Sequence, residues 1–224
     1  MRSLDRQVAL VLLTATISLV FLEYYAIRPT FEYRPIPIEK LARWSLLSFG
    51  AYFLIPAVLT RFVLRRRLSE FGLSFRGIAR HLPLYLFLYL CVLPLVWMAS
   101  RQPEFLLTYP FADSAREGWK ELLIWELLYG LQFFSLEFFF RGFMIFGLEK
   151  RFGISAVFVM VVPYCMLHFH KPMLESVGAI FAGVILGVVA LRTRSIFGGV
   201  IIHWAVAITM DVMAILQSGG FGGD

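Results

Sequence analysis

The amino-acid sequence predicts an all-α, polytopic transmembrane helical bundle of about seven spans. Three observations carry that expectation. Hydrophobic residues fill 59% of the 224 positions and charged residues only 16%, with a mean hydropathy of +0.76; a water-soluble domain of this length keeps more charge on its surface. The apolar residues are gathered into runs, most of them near the roughly 20 residues that a spanning helix needs. The cations cluster between those runs. A formal net charge of +6 arranged this way predicts topology signals and contact with the lipid bilayer's acidic head groups, not nucleic acid.

The runs are, in order, 8–27, 44–64, 82–99, 119–148, 155–168, 177–191 and 196–216. The first follows Arg2 and Arg6 but ends in Glu23-Tyr24-Tyr25. That is no small-x-small cleavage site, so it reads as a retained helix and not as a signal peptide. The fifth and sixth are short, tilted into the bundle or lengthened by their flanks. Ala179, Gly183 and Gly187 recur every four residues in the sixth, the spacing that lets helices approach closely. Segments 68–81 and 102–117 are the places for an eighth, amphipathic or re-entrant element. The tail from Ser218 reads as flexible. Cys91 and Cys165 lie inside apolar runs and read as free thiols.

With seven spans, Arg2, Arg6, Arg61, Arg65, Arg66, Arg67, Arg76, Arg80, Lys150, Arg151, Arg192 and Arg194 share one side, while the opposite loops mix charges. The positive-inside rule then places the N-terminus in the cytoplasm and the C-terminus outside. No repeat or linker divides the chain, so 1–224 reads as a single transmembrane domain with a motif-bearing core at about 119–217.

Chemistry enters through polar residues inside apolar runs. An ionisable group at the bilayer centre costs about 2.5–3.5 kcal/mol on insertion scales and faces inward. Glu137 and Arg141, within Ser135-Leu-Glu-Phe-Phe-Phe-Arg-Gly-Phe143, are spaced i and i+4 and share one helical face. Their phenylalanine neighbours are expected against lipid or other helices. Gly130 and Glu126 lie on nearly the same stripe. Taken alone, Glu137–Arg141 is adequately explained as a structural ion pair. His168 and His170 end the fifth run and cannot both face one site; His168 is the inward one and His170 the interfacial one. His203 and Asp211 lie in the last run, where they are placed to line adjacent sides of one cavity. Lys171–Glu175 reads as a surface ion pair. Polar residues converging from three spans favour a site over isolated packing. Glutamate and histidine near one water share general-base work on a carbonyl, and a second histidine stabilises the oxyanion.

Glu137-x-x-x-Arg141-Gly142, Tyr164-x-x-x-His168 and the late His203 together resemble the CPBP family. These are the CAAX prenyl protease type 2 and bacteriocin-processing intramembrane proteases, also called the ABI family. The resemblance covers the fourth to seventh runs. It implies an α-helical membrane endopeptidase acting on a protein or peptide substrate. No cofactor is expected, and the short loops point to a bacterial cytoplasmic membrane. The resemblance implies that a motif-one glutamate and the motif-two histidine, His168, activate water and that His203 forms the oxyanion site. The sequence departs from the family at three places. Leu136 stands where the first of two glutamates is usual, the one usually assigned to activate water; Tyr164 stands where phenylalanine is usual, and Ala207 where an asparagine follows the late histidine by one turn. In the catalytic reading Glu137 takes over as base, with Arg141, Asp211 and Tyr164 in support.

Those departures keep a second reading open, a non-catalytic membrane scaffold or immunity-type protein with the same fold. A metal enzyme or metal transporter using His168, His203, Glu137 and Asp211 ranks third, because no HExxH-type spacing is present. A generic transporter ranks last, for want of a repeat. Substrate identity and oligomeric state are not written in the sequence.

Overall fold

The computed structural model describes residues 5–26, 35–169 and 171–222, and these are helical, without strands. Eight helices follow in order: α1 Arg6–Tyr25, α2 Ile38–Val63, α3 Ile78–Ala99, α4 Pro103–Thr108, α5 Trp119–Phe152, α6 Ser155–Met166, α7 Met173–Thr193 and α8 Phe197–Gln217. All except α4 and α6 are long and apolar enough to cross a membrane, which makes six such spans among the described residues. The expected fifth span is the exception. Helix α6 has 12 residues, a rise of about 18 Å against a hydrocarbon core of about 30 Å. It gives way to a turn at Leu167 because each of the backbone N–H groups of Leu167, His168 and Phe169 bonds only three residues back. His170 and Arg2 lie outside the described residues.

Helix α5 is the axis of the fold. Of its apolar window 67% is buried, against 11% for α3. It runs unbroken for 34 residues, about 51 Å of rise, beyond the 148 expected. Just past Glu137 its hydrogen bonding widens to the i→i+5 pattern over Phe138–Met144, a local bulge of the kind often found at functional sites. Phe138, Phe139, Phe140 and Phe143 are all fully buried. They meet neighbouring helices and not lipid: Tyr52 and Phe53 of α2 and Tyr164 of α6 are their ring partners.

The ends of the bundle alternate as a seven-run topology requires. At one end Gln7 donates to the Gly147 carbonyl (2.7 Å), Arg194 pairs with Glu149 (2.6 Å), and Ile196 N–H bonds Gly72. The guanidinium–carboxylate pairing holds the exposed Arg194 above its ordinary pKa. This end gathers the cations of the 61–80 segment, Lys150, Arg151 and Arg192. A short 3₁₀ turn, Leu68–Phe71, folds over it, within one of the two segments expected to hold an extra element. The other segment holds α4 and a second 3₁₀ turn, Asp113–Arg116, at the opposite end. There Asp113 accepts from the Ile36 N–H (2.9 Å) and Arg116 donates to Ser218 (2.8 Å). The tail is therefore docked as far as it is described. Gly222 N–H bonds the Arg116 carbonyl (3.0 Å) and Phe221 packs on Trp119.

Candidate active site

Glu137 sits on α5 one residue before the bulge, and its carboxylate is fully buried. Two cations or donors converge on one of its oxygens. Arg141 Nη1 lies 3.2 Å from Oε1 and His203 Nδ1 lies 3.0 Å from the same atom. The first contact is the i, i+4 pair that the sequence predicts. The second joins α5 to α8 across 66 positions of sequence. It exists because α8 comes unusually close: a Cβ on Gly199 would overlap the Glu137 carboxylate. Among the described residues, oxygen Oε2 accepts no hydrogen bond.

Arg141 is also fully buried. Its guanidinium lies over the Tyr164 ring, 3.9 Å from the centroid, a cation–π contact of a kind that strengthens away from water. Tyr164 in turn stands between the two histidines, with ring centroids 6.3 Å from His203 and 5.0 Å from His168. So Glu137, Arg141, His203, Tyr164 and His168 form one contiguous cluster drawn from α5, α6 with its turn, and α8.

His168 has its orientation set from below. Its Nδ1 is 3.1 Å from the Tyr164 carbonyl oxygen. A carbonyl only accepts, so Nδ1 carries the proton and Nε2 keeps a lone pair. The turn that carries it is pinned by Ser176, whose hydroxyl donates to the His168 carbonyl (2.6 Å). Lys171 and Glu175 are part of this support and not a surface pair. Both are mostly buried at 18% and 22% exposed, and they are 2.6 Å apart. Tyr109, from the loop after α4, donates to the other Glu175 oxygen (2.6 Å). Burial, and then the Glu175 charge, push the Tyr109 hydroxyl well above the ordinary tyrosine range, so it stays a donor. Of the site's ionisable groups His203 is the most open, with 18% of its side chain exposed, against 7% for His168.

Asp211 is elsewhere. Its Oδ2 accepts from the Trp125 indole at 2.6 Å. It lies two helical turns beyond His203 on α8, and the group that holds His203 is Glu137 itself. Leu136 and Ala207 are both buried among apolar residues, so no second carboxylate or amide replaces the two that the family pattern would supply there. Sequence reasoning passed over Gly199, whose lack of a side chain admits the Glu137–His203 contact. A Gly-Gly pair one turn ahead of a buried histidine is the signal that marks it.

Residues 118–209 match the family model described as Rce1-like, type II CAAX prenyl endopeptidase Rce1-like. The match spans α5 to most of α8 and contains Glu137, Arg141, Tyr164, His168 and His203. It bears out the CPBP resemblance and supports a CAAX-type intramembrane protease at the level of the family. No curated protein and no solved structure matches the chain. Among the described residues no group of three or more His, Cys, Asp or Glu side chains is placed to hold a metal ion. Cys91 and Cys165 are free thiols. The Rce1-like segment stops short of Asp211, in keeping with that residue's separate surroundings.

Proposed function

We infer that this chain is an intramembrane endopeptidase that hydrolyses a peptide bond of a protein or peptide substrate, with Glu137, His168 and His203 as its catalytic residues. The observation that carries this reading is the 3.0 Å contact of Glu137 Oε1 with His203 Nδ1 inside the Rce1-like segment. A structural pair with Arg141 alone needs no histidine from a second helix.

The roles follow from which atoms are left available. Glu137 Oε2 and His168 Nε2 are acceptors, and a water between such groups is a nucleophile. Proton transfer to one of them accompanies attack on the substrate carbonyl. His203 is fixed through Nδ1, so its other nitrogen faces the reacting carbonyl. Protonated there, it donates to the oxyanion, and the Glu137 carboxylate at Nδ1 stabilises the imidazolium. Arg141 sets a guanidinium beside the Glu137 carboxylate, and the Tyr164 ring holds Arg141 in place. The exposure of His203 makes its side of the cluster the approach for substrate. The cation-rich end then faces the cytoplasm, as the positive-inside rule requires.

The test compares cells expressing wild type with cells expressing Glu137→Gln or His168→Ala at matched membrane levels. Mass spectrometry maps newly created protein termini in membrane and secreted fractions. Termini that disappear in both variants are expected, and they name the substrate. Identical sets of termini in all three strains would contradict the assignment.

A further inference from the structure

A segment from outside the Rce1-like region reaches toward the turn that carries His168. Residues 118–209 match the family model, and Tyr109 lies ahead of them, just after α4. It is buried, at 1% exposure. Its hydroxyl donates to Glu175 Oε2 (2.6 Å), and the other carboxylate oxygen of Glu175 pairs with the Lys171 ammonium (2.6 Å). The Lys171 N–H and the Ser176 hydroxyl both donate to the His168 carbonyl, at 3.2 and 2.6 Å. The contacts thus run from Tyr109 through Glu175 and Lys171 to His168.

Tyr109 is itself held on α5, the helix of Glu137. Its ring packs on Phe105 and stacks on Phe111, with centroids 4.9 and 5.0 Å away. Phe111 meets the Trp125 and Tyr129 rings of α5, at 6.3 and 5.7 Å, and the Lys171 ammonium lies 5.3 Å from its centroid. Arg116 donates to the Tyr109 carbonyl and to that of Leu106. Segment 103–117 is therefore a strap, with one side on α5 and the other on the His168 turn.

The turn needs such a hold. Helix α6 has ended there, and the N–H groups of Leu167, His168 and Phe169 bond only three residues back, the poorer geometry of a 3₁₀ turn. A side chain on such a turn keeps a reactive position only when its neighbours fix it. A misplacement of about 1 Å can cost about 10²-fold in rate. The Tyr164 carbonyl orients the His168 ring from within α6, and the strap refers the turn itself to α5.

We propose that Tyr109 is a positioning residue: through Glu175 and Lys171 it sets where His168 stands relative to Glu137. Tyr109 touches no reacting atom. Its hold on His168 stands by itself, whereas the consequence for turnover rests on the catalytic reading above.

The test compares wild type, Tyr109→Phe and Ser100→Ala, each as the full chain in lipid vesicles. Diethyl pyrocarbonate modifies neutral imidazole, and peptide mass spectrometry reads the rate at each histidine. Tyr109→Phe keeps the ring stack and removes one donor. It is expected to raise the His168 rate severalfold and to leave His81, at the opposite end of the bundle, at its wild-type rate. Ser100→Ala removes a different hydrogen bond of the same end, that from Gln217 (2.6 Å), and should leave both rates unchanged. An unchanged His168 rate in Tyr109→Phe, or an equal rise in Ser100→Ala, overturns the hold on His168 whatever the protein's activity. Should Tyr109→Phe fail to fold, Glu175→Gln takes its place, with the same expected rise and the same overturning result. Turnover is then read on a substrate named by termini mapping. Tyr109→Phe is expected to lower kcat about tenfold with KM little changed, while Ser100→Ala keeps the wild-type kcat. Full kcat in a folded Tyr109→Phe would overturn the positioning role and leave the catalytic reading intact. Termini that persist in His168→Ala would instead overturn the catalytic reading, and the histidine rates would still decide the hold on His168.

Discussion

Helices α5 and α8 hold two buried acidic centres, and the difference between them shows how charge is kept inside an apolar bundle. At the Glu137 centre a carboxylate has a guanidinium 3.2 Å away on its own helix and an imidazole at 3.0 Å from the other. At the other centre Asp211 accepts from the Trp125 indole at 2.6 Å and Glu126 from the Trp204 indole at 3.2 Å. The first sets a fixed cation beside its carboxylate, and the second ties each acid to an indole N–H of the opposite helix. A fixed cation leaves a carboxylate oxygen available for chemistry, whereas the indole contacts use the acids to join helices. The two centres also differ in access, since His203 is 18% exposed while Asp211 is fully buried.

Removing the cation should produce the largest effect. Arg141→Leu leaves a buried carboxylate beside an imidazole and should cost about 3–5 kcal/mol, as when other buried pairs are broken. Thermal denaturation of the purified protein in detergent measures it. Glu126→Gln should cost under about 1 kcal/mol, because the amide oxygen still accepts from the Trp204 indole. Equal losses in the two variants would erase the distinction between the centres.

The two glycines that admit these contacts give the next contrast. Gly199→Ala and Gly130→Ala each force a methyl into a filled space, at about 1–3 kcal/mol. Gly199→Ala should abolish appearance of the mapped termini, because the group it displaces is the Glu137 carboxylate. Gly130→Ala displaces Trp204 and should reduce the rate without abolishing it.

Smaller effects belong to the supports at either end. Tyr109→Phe removes a hydrogen bond to the Glu175 carboxylate and should cost about 1.5–3 kcal/mol. Because the folded Tyr109 hydroxyl titrates well above the ordinary value of 10.0, its contribution is complete below that pH. It declines as pH rises toward the folded value. Wild type should therefore lose its margin over Tyr109→Phe in alkaline melts. The least change is expected at Glu70, which the Arg66 hydrogen bond holds below the ordinary carboxylate range. Its contribution is present above the ordinary value and lost as pH falls through the folded one. Amide exchange at Arg67, whose N–H donates to Glu70 at 2.9 Å, should quicken in acid with no change in global melting.

Much of this was legible in sequence. Hydropathy alone placed six of the seven expected spans, because a long run of apolar residues has few alternatives to a bilayer helix; the fifth run, equally apolar, is too short to cross. The Glu137–Arg141 pair followed from helical periodicity, which is local. What escaped was whatever depends on a partner far along the chain. Asp211 looked like a companion of His203 because both lie on one helix, but the eight-residue step between them takes it to a different neighbour, Trp125 on α5. The indole N–H groups of Trp125 and Trp204 link α5 to α8, a pairing that no local sequence pattern marks. The phenylalanines near Glu137 suited lipid equally well by composition. Lys171–Glu175 resembled an exposed pair until Tyr109, more than 60 positions earlier, closed over it.

The central claim is that Glu137, His168 and His203 form a proteolytic site to which Glu126 does not belong. One measurement tests it most directly: quantitative mapping of new protein termini in strains carrying wild type, His168→Ala and Glu126→Gln at matched levels. The account predicts a set of termini lost in His168→Ala and retained in Glu126→Gln. Termini unaffected by His168→Ala would contradict it.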